Sequence, residues 1–380
     1  MSCQNVFTTL LVIISLSWGC KTDGPIDSSV QENTWGFKKN DGWNQYMSKF
    51  MGNEHSFQKH CFPKSYEAKG TVKGSVVLLH GFTACNQQYE DLAPLLAAKG
   101  YHVYLPVLPG HGKRRVLDDG SVNTEYREIP KVASGGEKEY ERFLAEMQAV
   151  FEGSGKPNVP HERIIGGLSL GGMLTARFIT KFEVDKAMIM VPFFSLQGVI
   201  KRVSERVYGT VTEVAELKQA LEVFAKTHDL AELERQNIDR LDSTWGEGCI
   251  REAENGRHGY CDFSLSSVAL MHVYGNYTAD RKIKGDPKVL LLGVEKDNTI
   301  SNQVIADFAK NNNFQGLENR QGCFYRQPMP HSFLSKYDNP DKPKTWLPSV
   351  LKHLEDFFVD GQFPPISSNA IELGFSACEL

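Results

Sequence analysis

An α/β fold built on a mostly parallel sheet flanked by helices is what this sequence predicts, and three observations predict it. Short apolar runs of strand length recur along the chain, among them Val76-Val77-Leu78-Leu79 and Val289-Leu290-Leu291-Leu292. Stretches with apolar residues at helical spacing separate them. One junction reads Gly167-Leu168-Ser169-Leu170-Gly171, which places a strand end, a sharp turn and a helix start within five residues. Strands that alternate with helices form βαβ units, whose strands lie parallel. A doubly wound nucleotide-binding sheet would need a Gly-rich fingerprint after its first strand, and the sequence has none.

In chain order, Ser75 to Leu79 is an unbroken apolar run of the kind buried parallel strands show. A helix pattern follows through Tyr89, Leu92, Leu95 and Leu96, with Gly100 as its stop. Val103 to Val107 is the next strand. Tyr140, Phe143, Leu144, Met147, Val150 and Phe151 then share one face of an amphipathic helix. The run Arg163-Ile164-Ile165-Gly166 leads into the Gly-Ser-Gly turn, and Gly172 to Ile179 continues as helix. Ala187 to Val191 and Val289 to Leu292 are later strands, and Phe324-Tyr325 sits in the last. Between Pro192 and Pro287 the alternation breaks for about 95 residues. That segment has helical patterning over 199–233, the cysteines Cys249 and Cys261 around a Gly-rich loop, and the aromatics Tyr260, Phe263, Tyr274 and Tyr277. It reads as a lid over a pocket, with a decorative surface insertion as the plainer alternative. The predicted organisation is a core of 51–194 and 288–380 interrupted by a lid at 195–287.

Composition narrows the function. Of 380 residues 41% are hydrophobic, enough for a sizeable core, and the net charge is only −4. No basic stripe marks a nucleic-acid partner. Near the N-terminus, residues 6–18 are largely apolar and no charge precedes Lys21. That stretch is short for a membrane span and reads as the core of a signal peptide over 1–19. It ends at Leu16-Ser17-Trp18-Gly19-Cys20, followed by a polar stretch that starts at Lys21. The pattern resembles a bacterial lipoprotein signal, which implies lipidation of Cys20 and a tether and extension over 20–50. An ordinary cleaved signal and a retained anchor are the alternatives. All three place the protein outside the cytoplasm: anchored in the cell envelope, periplasmic or secreted. Beyond Cys3 and Cys20, six cysteines remain, of which Cys249 and Cys261 are the expected pair. No CxxC pair or Cys/His cluster suggests a metal site.

The chemistry implied is nucleophilic. In a G-x-S-x-G turn between strand and helix, the glycines allow a tight reversal that presents the serine oxygen at the sheet's edge. A serine is a weak nucleophile until a histidine takes its proton, and a carboxylate must orient the imidazole. His331, in Met329-Pro330-His331-Ser332-Phe333, follows the expected last strand and is the candidate base. Asp297 follows the strand 289–292 and is the candidate acid, with Glu295 its competitor. His80-Gly81-Phe82-Thr83 ends the strand 75–79. Backbone N–H groups of Phe82 and Leu170 are therefore candidates for holding an oxyanion.

These residues together resemble the α/β-hydrolase superfamily, and within it the carboxylesterase and monoacylglycerol-lipase-like branch. The matching stretches are His80 to Thr83, Leu108-Pro109-Gly110-His111-Gly112, Gly167 to Gly172, Asp297-Asn298-Thr299-Ile300 and His331, and they span about 250 residues. The resemblance implies an α/β-hydrolase fold with a helical lid between the sixth and seventh core strands. It implies Ser169 as nucleophile, Asp297 as acid, His331 as base, Phe82 and Leu170 as oxyanion donors, and His111 as a structural loop residue. One departure lies at the acid, four residues after Gly293 where the family commonly has three. The implied activity is hydrolysis of a small-molecule or lipid ester through an acyl-enzyme, with no metal or organic cofactor. A peptidase or amidase of the same fold and a non-catalytic binding lipoprotein are the alternatives. Oligomeric state is left open.

Overall fold

The computed structural model describes residues 32–33, 40–126, 129–130, 136–154, 161–195, 256–260, 265–297, 299–326, 329–338, 343–370 and 376–378. Its strands are β1 (Glu32–Asn33), β2 (Lys64–Tyr66), β3 (Gly74–Leu79), β4 (Tyr101–Leu105) and β5 (Glu162–Leu168), then β6 (Lys186–Met190), β7 (Lys288–Val294), β8 (Arg320–Tyr325), β9 (Ile366–Ala370) and β10 (Ser376–Cys378). They form one sheet in the order β1-β2-β4-β3-β5-β6-β7-β8-β10-β9. From β4 through β8, and on to β10, neighbours are parallel. β1, β2 and β9 add antiparallel edges. The parallel strands carry the apolar runs of the sequence. β3 and β6 are buried along their whole length, as a sheet covered on both faces requires.

The helices are α1 (Asp41–Met47), α2 (Ala93–Ala98), α3 (Gly136–Ser154), α4 (Leu170–Ile179), α5 (Leu265–Ala279), α6 (Asn302–Asn311) and α7 (Leu347–Asp360). Successive residues of β5 show how they are divided. A side chain at Gly166 would meet Phe358 of α7, whereas one at Gly167 would meet Thr175 of α4. Neighbouring strand residues face opposite sides, so α7 and α4 cover opposite faces of the sheet. α2 packs on α7, and α3 and α5 pack on α4.

Chain order and sheet order part at β3. The chain goes from β3 to β4 on one side, then crosses to β5 on the other. In open α/β sheets the crevice beyond the carboxyl ends of two such strands is where ligands bind. Here those ends carry His80-Gly81 and Ser169.

Two segment boundaries differ from the sequence reading. The core starts at Asn40, not after residue 50. Asn40 caps α1 by accepting from the Trp43 N–H at 2.9 Å, and its amide donates to the Tyr104 hydroxyl at 2.7 Å. Trp43, Tyr46 and Met47 are buried, and α1 lies against α3. Seven residues are too few for an independent helix, so tertiary burial makes this one. The second difference is α5, which falls inside the stretch read as lid. Val268, Leu270, Met271 and Tyr274 are buried in the main core, and α5 packs on α3, α4 and α6. It is a core helix that leads into β7. The expected lid helices over 199–233 and the pair Cys249–Cys261 lie outside the described residues. Two disulfides are described: Cys61–Cys85, and Cys323–Cys378 between β8 and β10.

Candidate active site

Ser169 stands at the turn between β5 and α4 with φ 58° and ψ −114°. A non-glycine residue held there costs on the order of 1–3 kcal/mol, so the surroundings must impose it. They do so through the backbone. The Ser169 N–H donates to the Met190 carbonyl at 2.9 Å, and the Ser169 carbonyl accepts from Met173 N–H at 2.9 Å and Phe193 N–H at 3.0 Å. The flanking glycines are required by close approach. A Cβ on Gly171 would sit 1.8 Å from the Leu79 carbonyl oxygen, and one on Gly167 would sit 2.2 Å from the Gly171 carbonyl oxygen. The helix start is thereby pressed against the end of β3.

Asp297 follows β7 through a turn in which Lys296 takes φ 54° and the Asp297 N–H donates to the Val294 carbonyl at 3.2 Å. This left-handed step absorbs the extra residue between Gly293 and the acid. The Asp297 Oδ1 atom accepts from the N–H of Thr299 at 2.7 Å and of Ile300 at 3.3 Å. Oδ2 faces His331 Nδ1 at 2.6 Å, and His331 Nε2 lies 3.0 Å from Ser169 Oγ. A carboxylate accepts only, so Nδ1 carries the proton and Nε2 presents its lone pair to the serine hydroxyl. Burial by itself would raise the Asp297 carboxyl. The adjacent His331 charge and hydrogen bond, with the Thr299 and Ile300 amides, outweigh that and hold it below the ordinary value. The histidine's carboxylate is Asp297, not Glu295, whose N–H instead donates to Tyr325 O in the sheet.

The loop after β3 lies against the elbow. A Cβ on Gly81 would meet Ser169 Cβ at 3.5 Å, which is ordinary contact. Gly81 N–H donates to Gln88 Oε1 at 2.8 Å, and Phe82 follows it in the turn. Leu170 is the first residue of α4, so its N–H has no acceptor within the helix. His80 and His111 are buried scaffold. His80 Nε2 accepts from the Leu108 N–H at 3.1 Å, and burial keeps the ring neutral by pushing it well down. Burial also lowers His111 to about 4, and its Nδ1–H donates to the Pro109 carbonyl at 2.9 Å.

The family described as serine aminopeptidase, S33, matches residues 70–244, which include the β3 loop and the elbow. Among solved structures, a soluble variant of monoglyceride lipase from Saccharomyces cerevisiae has the same fold, with a TM-score of 0.51 and 13% identity over 79% of this chain and 92% of that one. The chain has the α/β-hydrolase fold. The chain is also similar to a monoacylglycerol lipase from Paleococcus ferrophilus, at TM-score 0.48 and 16% identity over 79% and 99% of the two chains. A carboxyl esterase from Bacillus coagulans has TM-score 0.48 and 13% identity over 80% and 97%. No curated protein sequence matches the chain.

Ser169, Asp297 and His331 lie 128 and 34 residues apart in sequence order and meet in one hydrogen-bonded line. Phe82 and Leu170 flank it. Four residues around this line went unseen in the sequence: Gln88, Arg257, Ser332 and Asp338. Only their partners make them notable, and the partners come from four separate segments.

Proposed function

We propose that the chain is a serine hydrolase of the α/β-hydrolase superfamily that cleaves carboxylic esters through an acyl-enzyme on Ser169. The observation that carries this reading is the line Asp297–His331–Ser169, at 2.6 and 3.0 Å, ending on the serine of a strained elbow. His331 Nε2 takes the Oγ proton as Oγ bonds to the ester carbonyl carbon. The developing oxyanion accepts from the N–H groups of Phe82 and Leu170, each such donor contributing about 3 kcal/mol to the transition state. When the intermediate collapses, the alkoxide leaves and takes the proton from Nε2. Water then gives a proton to Nε2 and attacks the acyl carbon; as the bond between that carbon and Ser169 Oγ breaks and the carboxylic acid leaves, Nε2 returns the proton to Oγ. Asp297 stays ionised throughout, fixes the imidazole tautomer and stabilises the transient imidazolium.

The likeness to a monoglyceride lipase supports an ester substrate of lipid or small-molecule type. The matched family's description favours a second reading, an aminopeptidase. That chemistry needs an anionic group to hold the substrate's free amine. Among the described residues the two buried carboxylates are Asp297 and Asp338. Both are engaged, by His331 and by Arg257. Among the described residues no buried carboxylate is therefore open to hold the amine, and the likeness to a monoglyceride lipase favours the ester reading. The test is hydrolysis of p-nitrophenyl esters from acetate to palmitate beside amino-acid p-nitroanilides, with Ser169→Ala in parallel. Ester turnover lost in the variant supports the proposal; turnover of anilides alone overturns it.

Export with a lipid anchor on Cys20 is part of the same proposal. The apolar stretch at 6–18 and the two described disulfides, which persist in oxidising compartments, support it. Cys20→Ala should abolish incorporation of labelled palmitate and release the protein from the membrane fraction. A variant that still fractionates with membranes would sink the anchor.

A further inference from the structure

Residues 256–260 lie as a strap across the loop that follows β3. The Tyr260 N–H donates to the Thr83 carbonyl at 3.0 Å, and a Cβ on Gly259 would collide with that same oxygen at 1.9 Å. The Gln58 side chain brackets Gly259, accepting from its N–H at 3.0 Å and donating to its carbonyl at 2.9 Å. Gln87 does the same farther back, accepting from the His258 N–H at 2.8 Å and donating to the Gly256 carbonyl at 2.7 Å. These bonds fix the path of the strap. They leave one long side chain, Arg257, directed back toward the catalytic line.

Arg257 holds two loops at once. Its Nη2 donates to Thr83 Oγ1 at 3.3 Å, and its Nε donates to Asp338 Oδ1 at 2.7 Å. Asp338 and Arg257 side chains are only 3% and 10% exposed, so this is a desolvated pair in which each charge needs the other. Asp338 Oδ2 accepts from the hydroxyl of Ser332, the residue after His331. Ser332 Oγ accepts in turn from Gln88 Nε2 at 3.4 Å, and Gln88 Oε1 accepts from the Gly81 N–H at 2.8 Å. The result is a closed ring: Gly81, Gln88, Ser332, Asp338, Arg257, Thr83. Gly81 and Thr83 flank Phe82, and Ser332 adjoins His331.

We propose that Arg257 is a positioning residue for catalysis, acting through this ring to set the distance between the Phe82 oxyanion donor and the His331 base. The inference rests on the esterase reading above. Arg257 touches no reacting atom. Its guanidinium is suited to the task because two donors in a fixed plane address two acceptors on different loops. Thr83 itself has φ 62°, so the oxyanion turn is held in a conformation that it would relax from without outside bonds. A change that frees either loop moves the donor relative to the base, and displacements of about 1 Å in such sites lower rates by about 100-fold.

The test measures kcat, KM and the labelling rate with a fluorophosphonate probe, together with thermal melting, for the full chain and three variants. In Arg257→Gln, kcat and labelling should fall in parallel by about 10- to 100-fold while KM stays within about twofold. Ser332→Ala removes one link and should lower both by about 3- to 10-fold with little change in melting. Arg257→Gln leaves Asp338 buried without its cation. If that chain does not fold, Arg257→Gln combined with Asp338→Asn carries no uncompensated charge and takes its place, with the same losses expected. Rates within about twofold of wild type in a folded variant would overturn the proposal, as would a raised KM at constant kcat. A wild-type chain that neither hydrolyses esters nor takes the probe overturns the esterase reading instead. A reactive wild type with an unaffected Arg257→Gln chain overturns only the ring.

Discussion

The two halves of the proposed catalytic line are held by different means. Ser169 is placed by backbone. Its N–H and carbonyl are bonded to Met190, Met173 and Phe193, and Gly167 and Gly171 let main chains touch where no side chain fits. His331 sits on a loop after β8, and side chains hold it: Asp297 on its ring and, through the next residue, Ser332 on Asp338. Backbone placement is rigid and sequence-local, and it cannot be retuned without breaking the sheet. Side-chain placement draws on distant segments and can be weakened one bond at a time. The placement of the nucleophile should therefore fail all at once, and that of the base in steps whose size depends on which bond is removed.

The largest effects test the chemistry on each side. Ser169→Ala should remove ester turnover by about 10^6-fold with melting unchanged, because the nucleophile itself is gone. Asp297→Asn should cost about 10^4-fold in kcat, since an amide facing Nδ1 favours the wrong imidazole tautomer. Folding should survive that change, as far-ultraviolet circular dichroism would show. Glu295→Gln, measured beside it, should stay within about threefold of wild type. Loss of activity in Glu295→Gln with retention in Asp297→Asn would reassign the acid.

Gly171→Ala tests the backbone side. The added methyl meets the Leu79 carbonyl at 1.8 Å, and a main-chain oxygen in β3 cannot swing aside as a side chain can. The expected loss exceeds about 3 kcal/mol, the upper part of what overpacking costs where neighbours can shift. Urea unfolding would read it as a lower midpoint at an unchanged slope. A Gly171→Ala chain as stable as wild type would show that the elbow is not clamped. In that case the difference between the two halves disappears.

What was legible in the sequence follows the same division. The elbow could be read from five consecutive residues because its constraints are local: glycines where backbones touch, an apolar strand before, a helix after. β3, β6 and β7 were legible for a related reason, since burial on both faces forces apolar runs. The positions of Asp297 and His331 were readable from their place after successive strands. The left-handed step at Lys296, which carries the acid one residue farther, was not, because lysine has no preference for it. The ring of Arg257, Asp338, Ser332 and Gln88 left no sequence trace either. Each is an ordinary polar residue, and their meaning comes from tertiary contacts between distant segments; Gln88 and Ser332 are 244 residues apart. α1 was hidden for a similar reason. Its seven residues are helical only because Trp43 and Tyr46 find α3 and Tyr104.

The smallest expected effect concerns acid. Asp297 has a folded-state pKa below its unfolded value of 3.8, so the folded chain binds its proton less readily than the unfolded chain does. Between those two values the unfolded state takes up more protons, and stability falls as pH falls. The contribution is fully present above about pH 5 and is lost as the pH drops through the folded value, below 3.8. Asp297→Asn carries no such proton. Its melting temperature should fall less steeply with acid than that of wild type below about pH 4, and the two profiles should run parallel above about pH 5. A difference that instead opens between about pH 5 and 8 would place the linked proton on another group. The buried carboxylate would then not be the acid-sensitive clamp on the side-chain-held half of this site.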